Sequence, residues 1–166
     1  MASSRKPQPR EHNGFPMRED RIFKIEVHVA GICVREQRGR WKLLAARRSS
    51  ERSLFPGKWE CGGGMVHPGE GFEAAIARQM FEEFGLEVEP WFLAETYTIH
   101  VPRSQRIIPG VRWVCLCRKG ETRLNVREFA EYRWLKLPLV ESLDWIGGIP
   151  EAIHQVTPRI LGGRGV

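Results

Sequence analysis

Residues Gly64–Leu86 read GMVHPGEGFEAAIARQMFEEFGL, a glycine-punctuated loop running into a helical pattern. Phe72, Ile76, Met80 and Phe84 recur every fourth residue, the apolar stripe of a helix packed on a sheet. The spacing therefore predicts a helix over Phe72–Phe84. Gln79, Glu82 and Glu83 stand at i, i+3 and i+4 and share a neighbouring face. Two carboxylates so placed weaken a helix by roughly a few tenths of a kcal/mol. A divalent cation between them turns that repulsion into a site. The helix is entered through Gly62-Gly63-Gly64 and Pro68-Gly69-Glu70-Gly71, where glycines permit close approach of a ligand to the backbone. Gly85 stops it.

The fixed spacing is Gly64, five residues, Glu70, seven residues, Arg78, then Gln79-Met80-Phe81-Glu82-Glu83-Phe84-Gly85-Leu86. This resembles the Nudix box of phosphoanhydride hydrolases at every fixed position but one: the family has glutamate where this chain has Gln79. The resemblance extends to Leu43-Leu44 with Arg47-Arg48, to Pro56-Gly57-Lys58-Trp59-Glu60, and to Glu131-Tyr132-Arg133-Trp134-Leu135. It implies an α/β fold, a Nudix-type α/β/α sandwich with a mixed central sheet. It also implies a Mg²⁺ ion, with Mn²⁺ as a substitute, held by Glu82, Glu83 and the carbonyl of Gly63. Arg78 and Glu70 would form an ion pair that pins the glycine loop to the helix.

Gln79 occupies the family's third-ligand or general-base position. An amide oxygen can orient a water but cannot take its proton. Base candidates are then Glu131 and Glu128 before the last strand, and Glu26 or His28 on the first. Arg47, Arg48 and Glu131 are the expected substrate contacts; since adjacent strand residues face opposite ways, at most one of the two arginines should reach substrate and the other should be a solvated charge. The implied activity is cleavage of the pyrophosphate linkage in a nucleoside triphosphate or nucleotide sugar. The alternative that Gln79 leaves open is a Nudix-fold module that binds a nucleotide without cutting it.

Composition bounds the rest. A chain of 166 residues builds one domain, expected over 21–162, after a disordered leader at 1–20 and before a tail at 163–166. No apolar run approaches the roughly 18 residues that cross a bilayer, and the leader has neither a secretory nor an anchoring pattern. The formal charge of +6 suits an anionic, phosphorylated ligand, and no nucleic-acid-binding motif accompanies it. Cys33, Cys61, Cys115 and Cys117 lack metal-ligand spacing and read as free thiols of a cytoplasmic protein. A homodimer is compatible with all of this.

Alternation predicts strands at Phe23–Val34, Trp41–Arg47, Trp59–Cys61, Leu93–Val101, Val111–Arg118 and Tyr132–Leu137. A short helix is expected over Pro138–Trp145 and a longer one over Ile149–Ile160. Of the six tryptophans, Trp41, Trp59, Trp113 and Trp134 fall in or beside strands, while Trp91 and Trp145 read as loop residues.

Overall fold

The computed structural model describes residues 25–102, 104–139 and 141–163; the expected leader at 1–20 and residues 164–166 of the expected tail lie outside them. The chain forms β1 (His28–Gln37), β2 (Arg40–Arg48), β3 (Trp59–Glu60), β4 (Gly63–Met65), α1 (Phe72–Phe84), β5 (Glu87–Val101), β6 (Arg106–Lys119), β7 (Phe129–Lys136) and α2 (Ile149–Gly162). Seven strands make one sheet in the order β3-β2-β1-β6-β5, with β4 added to β1 and β7 to β2. Strands β1 and β6 are parallel, with His28 opposite Gly110 and Val34 opposite Leu116. The other pairings are antiparallel, so the sheet is mixed, as expected.

Alternation along β1 gives the sheet two apolar faces. Val29 and Cys33 pack with Leu44, Cys115 and the α1 residues Ala75, Ile76, Met80 and Phe84. Ile32 and Val34 pack with Leu43, Val114 and the α2 residues Ile149, Ile153, Val156 and Ile160. One helix therefore covers each face, the α/β/α layering that buries both sides of a sheet.

Helix α1 has the bounds that its periodicity predicts, and Gly85 closes it at φ +67° with its N–H on the Phe81 carbonyl at 2.9 Å. Phe72, expected in the apolar stripe, is instead 41% exposed at the first turn. The expected helix over Pro138–Trp145 is absent among the described residues. Its backbone is committed elsewhere: Trp59 N–H donates to Asp144 O and Ile146 N–H to Trp59 O, both at 2.9 Å, tying the segment to β3. Trp91 lies in β5, stacked on Trp41 with ring centroids 6.2 Å apart. Of the strand expected over Phe23–Val34, Phe23 and Lys24 lie outside the described residues, and β1 runs from His28. Cys33, Cys61 and Cys115 are buried and in no disulfide, and burial holds Cys61 and Cys115 up at about 12, so these two thiols are inert packing groups. Among the described residues no helix is long and apolar enough to cross a membrane.

Candidate active site

The glycine run Gly62–Gly64, which turns from β3 into β4, packs against the C-terminal half of α1. Gly63, at φ +148°, faces the Val29 carbonyl so closely that no side chain fits there. At Gly62, φ +90°, an added Cβ would stand 2.5 Å from Phe84 Cε2 and 2.7 Å from Glu83 Oε2. The absence of side chains lets Glu83 reach under the turn, where its Oε2 accepts the Gly63 N–H at 2.9 Å. Glu83 is 3% exposed. Burial, and then the charge of Glu60, lift its carboxyl well above the ordinary carboxylate range; Glu128 adds to this, while the Gly63 N–H and Arg48 oppose it.

Glu82, the next residue along the helix, stands in a more open environment. Its side chain is 52% exposed and accepts from Arg78 Nη1 at 3.0 Å. Arg78 is the hub of the box. It grips Glu70 with both arms, Nε to Oε1 and Nη2 to Oε2, each at 2.8 Å. Its Nη2 also donates to the Met65 carbonyl at 3.0 Å. One guanidinium thus fastens loop, turn and helix together, as a planar fork with five donors can. The hydrogen bonds from Arg78, and then from the His67 N–H, hold the Glu70 carboxyl down at about 2. Gln79 lies against the bare Cα of Gly64, its amide in van der Waals contact with the turn.

The two arginines that end β2 part company at a bulge between them. Arg48, expected to be solvated if Arg47 reaches substrate, has a side chain only 13% exposed. It pairs with the buried Glu60 and donates from Nε to the Leu54 carbonyl at 2.9 Å. Arg47 donates to Glu131 Oε2 at 3.2 Å, and Arg133 takes the other oxygen of Glu131 at 2.9 Å while its guanidinium lies over Trp59. Glu131 is therefore held between two guanidiniums on the α2 side, away from Glu83. Of the base candidates, Glu128 is the one whose field reaches Glu83. Glu26 pairs with Arg106, and His28 is bonded to Tyr97.

Sequence reasoning gave Glu60 no site role, and passed over Arg112, Tyr97 and Arg133. Glu60 had a signal: it is the one charged residue in the short run Trp59–Cys61 ahead of the glycines. Among the described residues no three His, Cys, Asp or Glu side chains stand together as a ready metal cage. The donors that could hold a hard cation are the Glu83 carboxylate, the neighbouring Gly63 carbonyl and Glu82, an oxygen set that suits magnesium with its remaining waters. The fit rests on Glu83, a buried carboxyl crowded by Glu60 and Glu128 and opposed by the charge of Arg48.

The NUDIX domain model matches residues 26–155. This chain belongs to the NUDIX family. It is 32% identical over 102 residues to the nucleoside triphosphatase NudI of Escherichia coli, covering 56% of this chain and 72% of that protein. Among solved folds it resembles the MutT protein of Methanosarcina mazei, with a TM-score of 0.67 at 21% identity, covering 81% of this chain and 94% of the other. It also resembles the NUDIX domain of Shewanella oneidensis NrtR complexed with ADP ribose, with a TM-score of 0.65 at 17% identity, over 89% and 94% of the two chains. At these identities the two structures support the Nudix fold of the chain, and the match to NudI and the domain model support its place among Nudix hydrolases.

Proposed function

We propose that this Nudix hydrolase cleaves the pyrophosphate linkage of a nucleoside triphosphate or a nucleotide sugar in the cytoplasm, using a divalent cation bound beside Glu83. The observation that carries the reading is the buried Glu83 carboxyl under the glycine turn, in a set of acidic groups that a cation would neutralise. Similarity to a nucleoside triphosphatase favours the triphosphate class. Magnesium or manganese, when bound, supplies charge neutralisation and a polarised water for attack on phosphorus. Glu83, Glu82 and the Gly63 carbonyl hold it. Arg78, bonded to Glu70, Met65 and Glu82, keeps the turn and the helix in register. Gln79 accepts a hydrogen bond from the attacking water without taking its proton, and Glu128 takes the proton. Arg47 and Glu131 contact the substrate on the α2 side, and Arg48 orders Glu60 and the loop at Leu54.

The test is turnover of a panel of nucleoside triphosphates and nucleotide sugars with Mg²⁺ or Mn²⁺, in the parent, Gln79→Glu and Glu128→Gln. The expected result is parent turnover that falls at least about a hundredfold in Glu128→Gln, the range of a positioned base. Gln79→Glu is expected to raise turnover by at least about tenfold, roughly 1.4 kcal/mol of barrier. A second reading, favoured by the amide at position 79, is a nucleotide-binding module; binding without turnover in both the parent and Gln79→Glu would establish it instead.

A further inference from the structure

Four polar side chains that the proposed chemistry does not use meet on the α2 side of the sheet. His28 lies opposite Gly110, Ala30 opposite Arg112, Arg112 opposite Glu95, and Tyr97 opposite Gly110. His28 and Ala30 alternate in step with Ile32 and Val34, so the group continues the α2-side face beyond the end of its apolar core. On the other side of β1, Ala30 pairs with Gly63 and His28 with Met65. Arg112 is thus two strand spacings, about 10 Å, from the glycine turn, within reach of one nucleotide laid across β1.

The group is tightly made. His28 Nδ1 and the Tyr97 hydroxyl are 2.5 Å apart. Arg112, 7% exposed, pairs with Glu95 and lies 4.7 Å over the Tyr97 ring. Gly110 makes room for that ring, since a Cβ there would stand 2.5 Å from Tyr97 Cε2. Burial, and then the charges of Arg112 and Arg48, hold His28 down to about 4. It is therefore neutral at physiological pH and carries one ring proton. The Tyr97 hydroxyl has His28 as its hydrogen-bond partner among the described residues. A buried phenol left without an acceptor forfeits a hydrogen bond it had to water, so Tyr97 donates to Nδ1 and the imidazole proton sits on Nε2. His28 is half-buried, and its Nε2 takes no part in the bond to Tyr97. An imidazole Nε2–H beside a guanidinium, which has no acceptor, makes this a wall of donors.

We propose that His28 and Arg112 read the ring of the substrate and select a nucleobase with an exocyclic oxygen over its amino counterpart. An oxo edge accepts from this wall, whereas an amino edge sets donor against donor. The inference rests on the hydrolase reading but is tested apart from it. Binding of non-hydrolysable α,β-methylene analogues of UTP, CTP, GTP and ATP is measured beside kcat/KM for the parent nucleotides. UTP over CTP and GTP over ATP are expected by at least about tenfold, carried in KM. His28→Ala should bring both ratios within about threefold, His28→Gln, which keeps an N–H donor, should restore part, and Tyr97→Phe, which frees the tautomer, should lower them. Ratios near one in the parent protein, or ratios unmoved in a folded Tyr97→Phe or His28→Ala, overturn the inference. Absence of turnover with the ring preference intact overturns the hydrolase reading alone.

Discussion

Glu82 and Glu83 are adjacent in sequence and opposite in circumstance, one half in solvent on Arg78 and the other sealed beneath Gly62 and Gly63. Helical spacing placed both near the turn but could not tell which was buried, because a turn made of glycine reveals its close approach only in three dimensions. Burial disfavours the ionised form of Glu83, so without a cation its contribution to stability falls as pH rises from the carboxylate range toward neutrality. Glu83→Gln is accordingly expected to melt above the parent at neutral pH in chelator. The rise in melting temperature that Mn²⁺ gives the parent should vanish in the variant, since a ligand stabilises only the state that binds it. Thermal scans with and without Mn²⁺ check both signs.

At the scale of elements, the box is a joint between a turn and a helix, and the turn is the stricter partner. Gly62→Ala would force a side chain into φ +90° and against Phe84 and Glu83. The expected cost is about 1–2 kcal/mol for the left-handed backbone and about 1–3 kcal/mol for overpacking, read from the urea midpoint, with metal-dependent turnover falling further than stability. Helix α1 was legible to the residue because period, stop signal and loop all agreed. The missing helix at Pro138–Trp145 was not, because its competitor is pairing with β3, a partner far away in sequence. The hairpin β5–β6 runs from Glu87 to Lys119, longer than its apolar pattern, since backbone pairing continues where side chains are polar.

For the whole molecule, the α2-side wall was invisible in sequence because its members come from three strands that only the folded sheet brings together. It should also mark the acid stability of the protein. The His28 pKa is lowered from 6.5 to about 4, so the unfolded chain binds the extra proton first. The His28 contribution to stability is full above pH 6.5 and is lost as pH falls toward 4. Glu70 acts in the same direction lower down, its stabilisation lost as pH falls from 4.5 toward 2. Unfolding free energies measured by urea across this range should show two stages, and His28→Gln should remove the upper one while leaving the lower.

The parallel pairing of β1 with β6 sets an order of events in time. The glycine turn, the box helix and the whole of β5 lie between these strands in sequence, so the pair closes a long loop, whereas β1–β2 and β5–β6 are hairpins that form locally. Local contacts form early and distant ones late. A chain leaving the ribosome would release every box residue well before β6, the strand that seats β1 beside it. Pulse-labelled exchange during refolding should find the β5–β6 amides protected before those of β1 that bond to β6. The machinery for cutting would then be complete only once the last strand of its floor has been laid.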